Sequence, residues 1–164
     1  MRRLARRAAL AGLLVLVVAA APAPVPNASE LVIAGHVRHG MRLDMAELRH
    51  LPPVEERVSF RGEQGEQTAT FQGVRLWTLL DQAGAFDPAK PRSRVAATLT
   101  ATGRDGYTVA LALAEIDPAF EGKAVLIAYA ADGHAPAGGG FRLVVPGDQR
   151  GGRSVRDVVR IEVR

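Results

Sequence analysis

The chain of 164 residues contains no cysteine, and that absence limits its fold more than any motif in it. No disulfide can staple it, no thiolate can hold a metal, and no thiol can serve as nucleophile or lipid anchor. The N-terminus sharpens the constraint, because it has the layout of a secretory signal peptide. Arg2, Arg3, Arg6 and Arg7 precede an apolar run from Ala8 to Ala21, with small residues around Ala19 to Ala21. That run falls short of the roughly 20 apolar residues a membrane span requires. The expected organisation is a signal peptide over 1–21, a flexible lead-in over 22–29, and one domain over 30–164. Export would follow the general secretory route in preference to the twin-arginine one, to the periplasm or the medium, with no span left after cleavage. A domain of that size can bury a core of its own, and here the core must supply all the stability.

Charge is misleading until the leader is removed. The chain carries 21 Lys+Arg against 17 Asp+Glu. Four of those arginines lie in the leader, so the remainder is balanced, 17 against 17. The high isoelectric point is therefore no argument for a nucleic-acid partner. Basic character is instead local to 142–164.

Short apolar runs cut by turn signals predict more strand than helix. Strands are expected at 31–37, 54–60, 68–71, 95–101, 107–111, 142–145 and 155–163, with a buried central strand at 124–130. The polar segment 61–67 reads as a hairpin loop. Asp44 and Glu47 form a capping box that starts a helix at 45–50, ended by Pro52 and Pro53. Gly73 opens a second helix whose apolar face is Leu76, Leu79, Leu80 and Ala83, with Gly84 at its C-terminal end and Trp77 packed in or near the core. A short helical or turn segment follows at 113–120. This is a single mixed α+β domain, sheet-rich with a few short helices.

The segment FRLVVPGDQRGGRSVRDVVR, from Phe141 to Arg160, holds the candidate ligand residues. An apolar strand enters Pro146-Gly147-Asp148 and then Gly151-Gly152, while arginines recur at 142, 150, 153, 156 and 160. Glycines let backbone amides approach a ligand, and guanidinium forks match phosphate or carboxylate. The expected anion site comprises Arg142, Gly147, Asp148, Arg150, Gly152, Arg153 and Arg156. Arg160 and Arg164 read as surface residues. Asp105 and Tyr107, in Asp105-Gly106-Tyr107, either line the site or simply make a hairpin turn. His36 and His39 offer a weaker alternative, a metal or haem site built on imidazole. No nucleophile triad or phosphate-binding loop motif is present, and no catalytic residue is assigned.

The order of landmarks resembles the oxidoreductase molybdopterin-binding domain family, the sulfite oxidase-like fold, in a small exported bacterial form. The resemblance rests on Ile33 to Gly35, Asp44 to Pro52, Gly73 to Leu80, Asp105 to Tyr107, Ala124 to Gly133, Arg142 to Asp148, and Val155 to Val163. It implies a sheet-rich domain that binds molybdopterin, its phosphate gripped by amides and basic side chains. It also implies a molybdenum-binding cysteine between the first helix and Gly73. The corresponding segment, VSFRGEQG from Val58 to Gly65, has none, and a serine hydroxyl at Ser59 is a poor match for a soft thiolate. The family's G-P-x-R is likewise changed, to Gly139-Gly140-Phe141-Arg142.

Three function classes follow. The first is an accessory or redox-related protein that binds a pterin phosphate or another anion, with a periplasmic redox protein as partner. The second is a partner-binding protein that kept the fold without any cofactor. The third is an oxidoreductase subunit whose metal centre lacks a protein thiolate.

Overall fold

The computed structural model describes residues 30–62, 65–86, 91–136 and 139–164. The expected signal peptide and lead-in lie outside the described residues. Within them, one mixed sheet of nine strands organises the domain, along the path β2-β1-β9-β8-β7-β4-β3, with β5 on the other edge of β9 and β6 beyond it. The strands are β1 (Leu31–Gly35), β2 (Met41–Leu43), β3 (Val54–Gly62), β4 (Gly65–Arg75), β5 (Thr98–Gly103), β6 (Thr108–Ala112), β7 (Leu126–Ala131), β8 (Phe141–Val144) and β9 (Arg156–Val163). Four short helices connect them: α1 (Met45–His50), α2 (Leu76–Gln82), α3 (Pro91–Ala96) and α4 (Leu113–Ile116).

Strand β9 is shared along its length. Its first residues pair with β8 and its last with β1, in parallel, while its opposite edge carries β5. The large core packs Ile33, Ile127, Leu143 and Ile161 of the sheet with Leu48 of α1 and Leu76 and Leu80 of α2, all fully buried. A second, smaller cluster of Val58, Phe71, Leu126, Ala128 and Val144, with Phe60 against it, lies apart from that core. Strand β7 contributes to both clusters, so Leu126 to Tyr129 are buried without alternation, as a central strand should be.

Local chemistry explains the helix ends. Asp44 Oδ1 accepts from the Glu47 amide and Glu47 Oε2 from the Asp44 amide, each at 2.8 Å, the reciprocal pair that starts α1. At the end of α2, Gly84 is left-handed at φ +64°. The Gly84 amide donates to Asp81 and the Ala85 amide to Leu80, both at 2.9 Å, closing a Schellman motif.

Four expectations are corrected. Gly73 does not open a helix: β4 continues to Arg75, because a bulge at Gln72/Gly73 keeps the strand paired with β7. The segment 95–101 is not one strand: residues 91–96 form α3, begun by Pro91 where a missing amide costs nothing, and β5 starts at Thr98. The described residues of the polar segment 61–67 extend the hairpin ladder, pairing Phe60 with Gln67, Arg61 with Glu66 and Gly62 with Gly65. Finally, β1 stops at Gly35, left-handed at φ +92°, and the chain returns through β2, which local composition did not announce.

Candidate functional site

Alternation along β8 sends Leu143 into the large core and Arg142 to the side of Phe71 and Ala128. The Arg142 guanidinium carbon lies 5.7 Å from the Phe60 ring centre and 5.1 Å from that of Phe71. Its Nε donates to Ser154 Oγ at 3.1 Å, and Ser154 Oγ donates to the Leu143 carbonyl at 3.0 Å. That relay fixes the side chain, and among the described residues neither Nη atom has a hydrogen-bond partner. Burial, and then the nearby positive charge of Arg156, push its pKa below the ordinary arginine value. The group stays charged at neutral pH, because guanidinium does not deprotonate in that range.

Opposite Arg142, on β9, stands Arg156. Phe141 pairs with Val158, so an unbroken antiparallel ladder would put Asp157 opposite Arg142 and give an ion pair. Instead the register slips by one residue and Arg142 pairs with Arg156. The residue squeezed out is Asp157, left-handed at φ +48°. A bulge of this kind re-aims side chains beside a site. The Asp157 carboxylate turns to Arg104, whose Nε donates to Oδ2 at 2.8 Å, while Oδ1 is buried against Gly140 with no hydrogen-bond partner.

A second arginine couple closes the groove. The Arg61 amide donates to the Gln149 carbonyl at 2.9 Å, and Arg61 forms an isolated parallel bridge with Arg150. Arg61, Arg142, Arg150 and Arg156 all line one groove of about 750 Å³, together with Phe60, Gln67, Gly151, Gly152 and Ser154. Among the described residues, no carboxylate lies within ion-pair distance of any of the four; Glu66, the cross-strand partner of Arg61, does not pair with it. Gly151 packs on the Phe60 ring so closely that a Cβ there would stand 2.8 Å from a ring carbon.

The other expected ligand residues sit differently. Arg153 does not line this groove. Its Nε and Nη2 make a fork to Asp148, at 2.8 and 2.6 Å, and its Nη1 reaches Glu115 at 3.0 Å. The hydrogen bonds it donates to Asp148 are the main reason its pKa is raised. Burial opposes the charge of Glu115, yet the Ala112 amide, Arg153 and Lys123 outweigh it and hold its carboxyl below the usual range. Arg153 and Asp148 therefore brace the segment between them against α4. Gly147, at φ +84° after Pro146, makes the turn that begins this segment. Tyr107 Oη donates to the Gly152 carbonyl at 2.7 Å, and Asp105 Oδ1 accepts from the Tyr107 amide at 2.9 Å. These two residues support the Gly-rich turn from outside the groove.

Sequence reasoning missed Arg61, Phe60, Gln67 and Ser154. The signal for the first three was the Gly62-x-x-Gly65 spacing, which suits a tight hairpin turn and would have extended the ladder to the groove. His36 and His39 are both exposed, and no cluster of three metal-ligating side chains occurs among the described residues.

The groove suits a phosphate-bearing group, with guanidinium forks and a glycine-lined wall. It does not suit a thiolate-held molybdenum. The chain has no cysteine, and the Ser59 hydroxyl is engaged with Thr68 Oγ1 at 2.6 Å.

Comparison with solved structures aligns the chain with the sulfane dehydrogenase SoxCD from Paracoccus pantotrophus, at TM-score 0.67 and 22% identity. The alignment covers 82% of this chain but 38% of that one, so this chain corresponds to well under half of its neighbour's length. No curated protein matches the sequence. The family model for the oxidoreductase molybdopterin binding domain matches residues 19–164. The chain belongs to the oxidoreductase molybdopterin binding domain family.

Proposed function

We propose that this is an exported, periplasmic member of the family that holds a pterin phosphate between Arg142 and Arg156, in an accessory or redox-related role. The observation that carries this reading is the slipped register at Asp157. Asp157 pairs with Arg104 in place of the Arg142 that a regular ladder would set opposite it, and two arginines face each other instead. Like charges directly opposite in a sheet destabilise it, and a left-handed non-glycine residue adds about 1–2 kcal/mol of strain. An anion between the guanidinium groups offsets both. Export is supported by the basic and apolar leader.

Oxo-transfer in the manner of a thiolate-ligated enzyme is not part of this reading, since the chain offers molybdenum no thiolate. The test uses protein expressed with its leader in a molybdenum-sufficient host and purified without chelator. Metals are measured by mass spectrometry, and oxidised pterin by fluorescence. Near-stoichiometric pterin, lost in the Arg142→Ala, Arg156→Ala double variant, is the expected result. Folded protein with no pterin would sink the proposal in favour of a domain that binds only protein partners.

A further inference from the structure

Among the described residues, three strands have a single neighbour in the sheet and so an open edge: β2, β3 and β6. An open edge presents amides and carbonyls to any other strand, and proteins blunt it with short length, charge, proline or a bulge. Strand β2 is only three residues long. Strand β3 follows Pro52 and Pro53, exposes Glu55, Arg57 and Arg61, and is met at its far end by Gln149. Strand β6 has none of these devices. From Gly106 to Ala114 there is no charged residue and no proline, and the register with β5 is unbroken. Tyr107, just before the strand, is 51% exposed and Val109 is half-buried. Both line an open trough of about 450 Å³ beside the edge.

Hydrogen bonds define which groups on that edge are open. The Gly103 amide donates to the Tyr107 carbonyl at 2.8 Å and the Leu113 amide to the Ala97 carbonyl at 3.0 Å, so Val109 and Leu111 also turn their backbone groups to β5. Alternation directs those of Thr108, Ala110 and Ala112 outward. The Ala112 amide is taken by Glu115 Oε1 at 3.2 Å. Thr108 and Ala110 remain, each with an amide and a carbonyl that have no partner among the described residues. We propose that β6 pairs with β6 of a second copy of this chain, antiparallel about a two-fold axis at Val109. That register sets Thr108 of each copy opposite Ala110 of the other and satisfies all their open amides and carbonyls at once. Pairing a strand with its own copy brings like residues together at the axis, which an uncharged strand tolerates and a charged one resists. Val109 then meets Val109 of the second copy and Tyr107 meets its Leu111, so the exposed apolar side chains are covered.

Sedimentation velocity of the purified protein, from about 1 to 200 μM, should show a monomer–dimer equilibrium, weak because two short strands bury a small interface. Ala110→Pro removes an outward amide without touching a bond to β5. It should weaken the dimer at least about tenfold and leave the circular dichroism unchanged. Ala110→Lys, which sets a charge beside the axis at an exposed position, should do the same. Because the chain has no cysteine, Val109→Cys reports the axis directly. A non-hydrogen-bonded antiparallel pair holds its Cα atoms about 4.5 Å apart, within disulfide reach. Under mild oxidation that variant should become a disulfide-linked dimer, while Ser59→Cys, exposed on the open edge of β3, should stay largely monomeric. Protein that is monomeric across the whole range overturns the proposal and leaves β6 to a strand of some other protein. A dimer indifferent to both Ala110 substitutions overturns it by placing the interface elsewhere. Crosslinking of Val109→Cys no faster than that of Ser59→Cys overturns the register and the axis together.

Discussion

Replacing Arg156 with glutamate tests the central argument, because stability and binding should move in opposite directions. In the native ladder Arg156 stands directly opposite Arg142, and among the described residues no acid compensates Arg142. A like-charged cross-strand pair is unfavourable and an opposite-charged one favourable, by roughly 0.2–1 kcal/mol each. Arg156→Glu exchanges one for the other, so the ligand-free protein should gain about 0.4–2 kcal/mol. The gain should shrink as salt rises, since Arg156 is exposed and screened. Phosphate reverses the order. At a ligand concentration of about 100 Kd, the native protein should gain roughly 2.7 kcal/mol by linkage, and the variant none. Urea denaturation with and without phosphate, at low and at moderate salt, reads all four quantities. A variant less stable than the native protein without ligand would refute the claim that the two arginines strain each other. A variant still stabilised by phosphate would refute the claim that they bind together.

Other expectations follow from particular contacts. Gly73→Ala should destabilise by about 1–3 kcal/mol or more, since the new Cβ would meet the Ile127 carbonyl and lie 2.6 Å from Ala128 Cα, both backbone and unable to yield; thermal denaturation measures it. Glu115→Gln should cost about 1–3 kcal/mol at neutral pH through the lost charged contacts to Arg153 and Lys123. Because the Glu115 carboxyl titrates below its ordinary 4.5 in the folded protein, its contribution is full above that pH and fades as the pH falls through the lowered value. The native and variant stabilities should therefore converge in acid, and a difference unchanged by pH would sink that account. Tyr107→Phe should cost about 0.5–1.5 kcal/mol through its bond to Gly152 and weaken anion binding little, because it supports the turn without lining the groove.

What the sequence made legible was whatever local chemistry decides. The Asp44–Glu47 box, the glycine that ends α2 and the buried run of β7 each follow from a few neighbouring residues, and the structure carries all three. The order of landmarks also identified the family and with it the sheet-rich fold. Tertiary pairing decided the rest. Gly73 sits before a helical apolar pattern, yet β7 holds it as strand; Arg61, Gly62, Gly65 and Glu66 have no apolar alternation, yet they form a ladder because their partners are each other. The site divided along the same line. Arginines at 142, 150 and 156 could be picked out as ligand candidates, but Arg153 resembles them in sequence and differs only in having Asp148 and Glu115 beside it. Arg61 is some eighty residues from that segment and is brought in by a single bridge to Arg150.

The reading opposed to the proposed anion site is a charged surface whose arginines serve only solubility, and the placement of the charges argues against it. Solubility depends on net charge and is indifferent to which residue faces which. A surface under that requirement alone has no reason to leave arginines opposite one another while an aspartate lies one register step away. Here the step is taken at Asp157, in a left-handed conformation worth about 1–2 kcal/mol of strain. One carboxylate oxygen is also left buried without a partner, an arrangement that typically costs about 1–3 kcal/mol. Arg142 is in addition partly desolvated between two aromatic rings. These terms all oppose folding of the empty protein, and the proposed ligand would relieve those that fall on the arginines. Under the proposed function, an anion seated between Arg142 and Arg156 would reduce the repulsion and give the Arg142 Nη atoms partners, and its binding free energy would offset the strain left at the bulge.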